Sequence, residues 1–537
     1  MSDAATPAAP PPFVPKPLAM TLGYIGASLT IGMTQGLAQG FVSSNIPQIA
    51  GDLGATQTQA GWLMAAFLIP RASLPLMLIK IRTQFGLRRF AEIAILLYLL
   101  VSLAALAISD LRSAIVVQFF AGAAAAPLST LGFMYMLEPL PPAWKMRLGL
   151  PMVMAMLSAG PSLARVISPS LMGDLGWGPL HLMSLGLAAV SLALVYALPL
   201  ASLPRVKVIA AMDLVSWVLI AIGFGSLTAA FTMGATFWWT DTPWIGWVLA
   251  LAAVTLTGVV VIELHRKTPL LDIRWLTSPA MVHLTIALLV FRLVLSEQSS
   301  GAPRMFQILG VTQGQLVPLF AIITAATVLG GLALIPVIKP ERVPVLHLVA
   351  LVLFCTGAFM DSHSTIDTRP AQMMLSQALI AFSGTFYLAP AMMQGLVAAL
   401  AKGPNYLLSF VVVFISTQSL GGAMGSGLFS TFINHRQALH LQVLREELTA
   451  ADPQTTAAIA QNMAALASQI PDAAARKAQA VALIAQDASN QAYVMAYNDA
   501  YLLTFLVAAT ALCALLLHIF RDWLVARRQP ANPEPAK

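Results

Sequence analysis

The chain has 537 residues, of which 58% are apolar and only 9% are charged. A soluble domain carries about 25% charged residues, so this composition excludes a water-coated globular enzyme and an intrinsically disordered chain. Two cysteines, Cys355 and Cys513, are too few for a disulfide framework or a cysteine-rich metal site. The net charge of +7 is explained by how the positive charges are distributed among loops, rather than by nucleic-acid binding.

The apolar residues lie in long runs, and a helix that crosses a bilayer needs about 20 mainly apolar residues. Taken in chain order, the runs predict an all-α polytopic membrane protein with fourteen spans. Their predicted limits are 18–44, 59–80, 91–109, 113–137, 148–172, 180–200, 209–233, 244–263, 278–300, 315–338, 343–361, 373–400, 406–432 and 498–520.

The basic residues predict the orientation of these spans. With the N-terminus inside, 19 of the 29 lysines and arginines fall on the cytoplasmic side, 7 fall on the opposite side, and Arg71, Arg165 and Arg292 lie within spans. An excess of positive charge marks the cytoplasmic side, so both termini are expected in the cytoplasm.

Three segments are polar enough to lie outside the bilayer. Residues 1–17 are rich in alanine and proline and are expected to form a disordered tail, and 521–537 a cytoplasmic tail. The segment 433–497 has a helical composition, interrupted near Pro453 and Pro471, and this topology places it on the extracytoplasmic side.

Several stretches in their order resemble the fourteen-span drug:proton antiporters of the EmrB/QacA type, within the major facilitator superfamily. They include Ile46-Pro47-Gln48-Ile49, the region from Gln118 to Pro127, Gly160-Pro161, the link ELHRKTPLLDIRWL (263–276) and Leu420–Gly425. The resemblance covers about residues 18 to 520.

This resemblance implies two six-helix halves, 18–203 and 276–520, with an inserted two-helix hairpin at 204–275. It places the substrate site between the halves, near the middle of the membrane. It also implies a conformational or packing role for a set of glycines and one proline: Gly86, Gly160, Pro161, Gly421, Gly422 and Gly425.

The sequence departs from the family where proton coupling is usually placed. The acidic position of the first span falls on Ala38, the fourth-span arginine falls on Ile115, and the loop after the second span has Ile79 and Thr83 in place of a glycine and an acid. If a proton is carried, another residue must carry it.

Three arginines within spans are the first candidates for substrate binding. A charge at the bilayer centre costs at least about 2.5 kcal/mol, so Arg71, Arg165 and Arg292 are expected to face a cavity or a partner. Guanidinium groups bind carboxylates, which favours an anionic or zwitterionic substrate. The alternative is that the arginines bond helix carbonyls.

Polar and aromatic residues at membrane depth complete the predicted substrate site: Phe67, Gln118, Gln307, Phe386 and Tyr387. Such residues hydrogen-bond a neighbour, stack on a substrate or simply pack.

Glu297 is the acidic residue that lies well inside a predicted span, and burial favours the protonated form of a carboxyl. It is therefore the candidate proton carrier, against the alternative of a wetted residue near the outer rim. No phosphate loop, metal-ligand spacing or catalytic triad pattern is found, so no cofactor or metal is expected.

The sequence and its resemblance predict a secondary transporter of the bacterial inner membrane, not an enzyme, that exports small amphiphilic compounds. Coupling of this export to protons is a further expectation. An organic-anion or siderophore carrier of the same fold is the alternative within transport, and a polytopic membrane enzyme or receptor is the alternative from another class. The resemblance implies that 433–497 contacts a periplasmic membrane-fusion adaptor. It also implies that the transporter works together with an outer-membrane channel.

Overall fold

The computed structural model describes residues 15–173, 176–201, 205–403, 406–449 and 451–528. Fourteen long helices follow one another in the predicted order. Their bounds are α1 Leu18–Ser44, α2 Gln57–Phe85, α3 Leu87–Ala104, α4 Leu111–Leu137, α5 Leu150–Leu171, α6 Gly178–Ala197, α7 Ala211–Phe237, α8 Pro243–His265, α9 Pro279–Val294, α10 Gln313–Leu334, α11 Val343–Asp361, α12 Met374–Lys402, α13 Tyr406–Glu447 and α14 Ala473–Arg528. Residues 1–14 and 529–537, which hold most of both predicted tails, lie outside the described residues.

Thirteen of these helical stretches are long and apolar enough to cross a membrane, by length and composition. The exception is α1, whose threonine, serine, glutamine and glycine residues lower its hydropathy. It nevertheless packs against α4, α5 and α6 within the first half of the molecule. The fourteen predicted spans therefore correspond to fourteen helices. Several polar side chains of α1 are buried against other helices rather than exposed to lipid.

Several helix starts follow directly from local sequence. The Thr56 hydroxyl accepts a hydrogen bond from the backbone N–H of Gln59, and the Gln59 side-chain oxygen accepts one from the backbone N–H of Thr56. This reciprocal pair begins α2. Asp110 and Ser113 begin α4 in the same way. These pairs satisfy backbone N–H groups that the first turn of a helix leaves free.

The helices form two halves that meet along two seams. Helices α1–α6 pack mainly with one another, and so do α9–α14. The halves touch where α5 meets α10 and where α2 meets α13. At the first seam Thr324 donates a hydrogen bond to Ser162 over 3.0 Å, and a Cβ on Gly331 would meet the backbone oxygen of Pro151 at 3.0 Å.

Helices α7 and α8 form a hairpin, and α7 packs between α2 of the first half and α13 of the second. Trp217 donates to the backbone oxygen of Ser73 on α2 over 3.3 Å. At the other end of α7, Trp239 donates to Thr431 on α13 over 2.7 Å. The hairpin therefore contacts both halves at the α2–α13 seam.

The ninth span is interrupted, whereas the sequence predicted one continuous helix over 278–300. Helix α9 ends at Val294 and is followed by two short helices, Ser296–Ser300 and Ala302–Ile308. The break at Gly301 brings the Tyr501 ring close, since a Cβ there would lie 2.8 Å from a carbon of that ring.

The segment 433–497 is helical, as predicted, with breaks on either side of a short helix, Pro453–Ala465. Helix α13 continues to Glu447 and α14 already begins at Ala473, so both helices extend beyond the predicted span limits of 432 and 498. Alanine, glutamine, leucine, glutamate and arginine favour helix, so both spans extend beyond their apolar stretches.

Candidate substrate cavity

A cavity of about 2050 Å³ lies between the two halves, where the substrate site was predicted. Its walls come from α1, α2, α4 and α5 of the first half, from α7 of the hairpin, and from α9, α10, α12 and α13 of the second half. Thr232, Met233 and Thr236 of α7 line one side of the cavity. The inserted hairpin is therefore part of the wall of this cavity.

Arg71 enters the cavity from α2, with Pro70 just before it in the helix. Its guanidinium donates to the side-chain oxygen of Gln39 on α1. It also lies 5.8 Å from the ring centre of Phe67, one turn earlier. One polar partner leaves most of the five guanidinium N–H donors available to a ligand.

Arg292 enters from α9 and lies in a groove made by glycines of α13. A Cβ on Gly422 would lie 2.8 Å from Arg292 Nη2, and one on Gly421 would lie 3.2 Å from Arg292 Cγ. Arg292 Nε donates to the backbone oxygen of Gln418 over 3.2 Å. One turn later, Gly425 packs against Ser296. Small residues are thus what allow α13 to approach this side chain.

Arg71 and Arg292 come from opposite halves and are close enough to repel each other. Arg165 contributes a third guanidinium from α5, 5.0 Å from the ring centre of Phe320 on α10. Its Nη1 atom is buried and has no hydrogen-bond partner within the described ranges. An anion between these groups would satisfy free donors and reduce the repulsion across the two halves.

Three further basic residues line the cavity: Arg82, Lys145 and Arg304. The sequence placed them in loops. Arg82 is instead still within α2, Lys145 lies in a π-helical turn that leads into α5, and the break of the ninth span carries Arg304 to the cavity wall. Among the described residues that line the cavity there is no aspartate or glutamate. The cavity is therefore strongly positive.

No family model matches the sequence. Among curated proteins, the fatty acid resistance protein FarB of Neisseria gonorrhoeae is 26% identical over 234 residues, which is 42% of this chain and 45% of that protein. The multidrug export protein EmrB of Haemophilus influenzae is 28% identical over 238 residues, 42% of this chain and 44% of that protein. The matched regions thus span less than half of each of these two relatives.

A longer match, 22% identical, joins 78% of this chain to 77% of the uncharacterized MFS-type transporter YhcA of Bacillus subtilis. Among solved structures, the human organic anion transporter MFSD10 (TETRAN) superposes with a TM-score of 0.54, covering 92% of this chain and 100% of that one at 12% identity. The xylose transporter XylE from E. coli, partially occluded and inward-open, gives 0.52 over 91% and 97% at 12% identity. In sequence the chain is similar to transporters of the major facilitator superfamily, and it shares the fold of these two solved transporters.

Within this superfamily fold, the predicted substrate residues separate into two groups. Arg71, Arg165, Arg292 and Gln307 line the cavity. Phe67, Gln118, Phe386 and Tyr387 do not line it, and all four are buried. Phe67 packs at the close contact of α2 with Gly122 of α4, and Tyr387 stacks on Phe291 with ring centres 3.8 Å apart. These four residues pack between helices, the alternative that the sequence left open.

The predicted packing residues lie where backbones approach each other. Gly160 faces Gly36 so closely that a Cβ on Gly160 would lie 2.6 Å from Gly36 Cα, and Pro161 follows in the cavity wall. Gly86 joins α2 to α3 with φ of +90°, a conformation that disfavours other residues. The backbone conformation therefore favours glycine at this position.

Glu297 is fully buried and does not line the cavity, which excludes the wetted position at the outer rim as its surroundings. Its carboxyl faces the carboxyl of Asp361, the last residue of α11, which is 2% exposed. The sequence did not single out Asp361, because its terminal position in the eleventh span resembled that of an interfacial residue. Among the described residues no group of three or more His, Cys, Asp or Glu side chains is arranged to hold a metal ion.

Proposed function

We propose that the protein is a secondary transporter of the bacterial inner membrane that exports small amphiphilic compounds, and that its substrates carry an acidic group. The observation that carries this proposal is the cavity between the two halves, with six basic side chains and no acidic side chain among its described lining residues. This joins the two transport hypotheses made from the sequence, amphiphile export and organic-anion transport.

The charge of the cavity favours an anion at a defined place. Arg71 of one half and Arg292 of the other face the same space, and Arg165 offers an unpartnered donor. A carboxylate, sulfonate or phosphate accepts hydrogen bonds from more than one guanidinium at once. A bound anion would therefore connect the two halves, which is what a carrier requires if it is to change conformation with its substrate.

The rest of the lining favours an apolar tail on the same molecule. Met64, Leu68, Met154, Leu388 and Met392 lie in the walls around the arginines. Methionine side chains are flexible and polarizable, so they adapt to tails of different shape. A large cavity with adaptable apolar walls suits a set of related amphiphiles better than one rigid substrate.

The names of similar proteins support this substrate class. FarB is a fatty acid resistance protein, EmrB is a multidrug export protein and MFSD10 is an organic anion transporter. We propose outward transport with both termini in the cytoplasm, as the loop charges predict. We also propose that a proton gradient drives it and that Glu297 is a proton site, since the usual first-span acid falls on Ala38.

Purified protein tests the substrate class by binding. Decanesulfonate is an amphiphile that stays anionic at every working pH, decanol is its neutral counterpart and decyltrimethylammonium its cationic one. We expect decanesulfonate to bind at least about 10-fold more tightly than either, because a charge-assisted hydrogen bond contributes about 1.5–3 kcal/mol. Equal affinity for the cation would refute the proposal.

Variants locate that binding. Arg71→Ala and Arg292→Ala should each weaken decanesulfonate binding by about 10-fold or more, and lysine at either position should restore it only in part because the planar fork is lost. Arg112→Ala is the matched control, since Arg112 is exposed and does not line the cavity. Normal binding by both alanine variants would make these arginines structural.

We further propose that 433–497 contacts a periplasmic adaptor of the membrane-fusion type. Its helices extend both α13 and α14 beyond the bundle, and Leu439 and Val443, one turn apart on α13, are 45% and 50% exposed. At its base Asn434, Gln437 and Tyr493 line the cavity, so the segment also covers the cavity mouth. Replacing 437–492 by a glycine-serine linker should abolish export and adaptor pull-down in cells while vesicle transport survives. Persisting pull-down would refute this contact.

A further inference from the structure

Two acidic side chains are buried against each other in the second half of the molecule, away from the cavity lining. Glu297 lies in the short helix Ser296–Ser300 after α9, and Asp361 ends α11. They are 0% and 2% exposed, and their carboxyl groups face each other. Neither oxygen of Glu297 accepts a hydrogen bond from an N–H or O–H donor among the described residues. This arrangement costs free energy, so it calls for an explanation.

The groups around this carboxyl pair are neutral. Helix α12 provides Gln377, whose Nε2 donates to Asp361 Oδ2 over 2.7 Å, and the buried Ser376, whose hydroxyl donates to the backbone oxygen of Met373 over 3.0 Å. Helix α14 provides Tyr501. From α13, Ser426 bonds to Ser300 over 2.6 Å.

The charged and titratable groups nearby do not neutralise the pair. Tyr497 lies one turn before Tyr501 on α14, and Arg304 lies near Tyr497 rather than beside either carboxyl. Asp499, also on α14, is paired with Arg436 and His440 at 2.6 Å each. His363, after α11, bonds the backbone oxygen of Phe359 and is exposed. Among the described residues, therefore, no cation contacts Glu297 or Asp361.

Two carboxylates cannot both stay ionised when they face each other in a dry site without a cation. We propose that Glu297 and Asp361 form a proton-binding pair that holds one shared proton, and that Asp361 is the second member of the proton site. This inference rests on the proposed transport function and adds to it the residue and the pairing. A proton from water binds to a carboxylate oxygen of the pair and later leaves from the same pair.

A hydrogen-bonded route connects the pair to the cavity. Gln298, the neighbour of Glu297, lines the cavity and donates through Nε2 to the backbone oxygen of Gln377 over 3.1 Å. The side chain of the same Gln377 donates to Asp361. A change at the cavity wall near Gln298 is therefore transmitted to Asp361 through one residue.

The same stretch of chain carries a substrate-facing arginine. Ser296 donates to the backbone oxygen of Arg292 over 3.1 Å, across the break between α9 and the helix of Glu297. A substrate that pulls on Arg292 thus displaces the segment that positions Glu297 against Asp361. Proton binding and substrate binding are coupled if the distance between the carboxyls changes with that displacement.

Proteoliposomes separate coupling from binding, with decanesulfonate as the substrate because it has no titration of its own. Exchange of labelled for unlabelled decanesulfonate at equal pH needs the cavity but no net proton movement. We expect Glu297→Gln and Asp361→Asn to keep exchange within about twofold and to lose about 10-fold or more of pH-driven accumulation. Glu92→Gln, an exposed acid paired with Arg88, is the matched control and should behave as wild type.

Infrared spectroscopy tests the pair without any substrate. A protonated carboxyl has a C=O stretching band that a carboxylate lacks, so the wild type should show such a band that disappears as the pH is raised. The band should be absent from the double variant Glu297→Gln/Asp361→Asn, and Asp361→Glu should retain it if the asparagine variant folds poorly.

The two proposals fail in different ways. Normal exchange together with undiminished pH-driven accumulation in both single variants would overturn the shared-proton inference and leave the transport proposal standing. A wild-type protein that shows the infrared band but neither binds nor exchanges decanesulfonate would refute the proposed substrate class alone. Absence of the band from the wild type would overturn the inference directly.

Discussion

In the described part of the chain, acidic side chains are buried in two places, and their surroundings differ. Where the hairpin meets the first half, Asp213 of α7 and Glu263 of α8 are 1% and 2% exposed. Lys80 and Arg266 contact Asp213 at 2.6 and 2.7 Å, and Arg266 also contacts Glu263 at 2.8 Å. In the second half, Glu297 and Asp361 are just as buried, but they face each other.

The difference shows what each cluster is suited to do. Glu263 also accepts hydrogen bonds from Ser216 and from the backbone N–H of Leu270, so its charge is fully compensated and it fixes the link that follows α8. A compensated charge stabilises one arrangement and has little reason to bind a proton. The pair of Glu297 and Asp361 lacks such compensation, and protonation is the way to remove its charge.

The largest expected effect is at the compensated cluster. Asp213→Ala leaves Lys80 and Arg266 without their shared partner in a buried place, and breaking a buried pair in this way costs about 3–5 kcal/mol. We expect a clear fall in the thermal unfolding temperature of the detergent-solubilised protein. Asp110→Ala should cost less, about 1 kcal/mol, because it removes only an exposed helix cap. Equal losses would show that the cluster at Asp213 contributes no more than a surface contact.

The fold was largely predictable from sequence because bilayer spans require long apolar runs, and each of the fourteen runs became a helix. The site was only partly predictable. The sequence reveals three site residues because they are charged within apolar runs: Arg71, Arg165 and Arg292. The sequence does not reveal Asp361 as a site residue, because its role depends on a contact with Glu297 from another helix.

The packing of aromatic residues was equally hidden in the sequence. Tyr387 and Thr385 are two residues apart on α12, yet Thr385 lines the cavity and Tyr387 stacks between Phe291 and His347. Which face of a helix meets a cavity depends on how helices distant in sequence pack together. Hydropathy, which averages over a whole helix, holds no information on that rotation.

A second prediction concerns a substitution that places a cation beside the pair of Glu297 and Asp361. Gln377 is fully buried with its Nε2 2.7 Å from Asp361, so Gln377→Lys would place an ammonium beside the two carboxyls. An adjacent cation favours the ionised form of a carboxyl, so the shared proton should no longer be held at neutral pH. We expect pH-driven accumulation of decanesulfonate to fall about 10-fold while exchange at equal pH continues.

Gln377→Met is the control for that change, since it has a similar volume and no charge. It should reduce accumulation less than the lysine variant, because it removes only the hydrogen bond to Asp361. If the lysine variant accumulates decanesulfonate normally, the missing cation is not what distinguishes this pair from the cluster around Asp213.

The smallest expected effect is the change in unfolding temperature when Glu297 is replaced. Whether that temperature rises or falls distinguishes this pair from the cluster around Asp213. Glu297→Gln replaces a carboxyl that shares one proton with Asp361 by a neutral amide of nearly the same shape, which can donate to Asp361 in place of that proton. The amide adds no charge to the buried site, whereas Asp213→Ala leaves Lys80 and Arg266 without their shared partner. We therefore expect the unfolding temperature of Glu297→Gln to equal or slightly exceed that of the wild type, measured in the same detergent and at the same pH. A loss as large as that of Asp213→Ala would mean that Glu297 has a stabilising partner, and the two buried acidic clusters would then be alike.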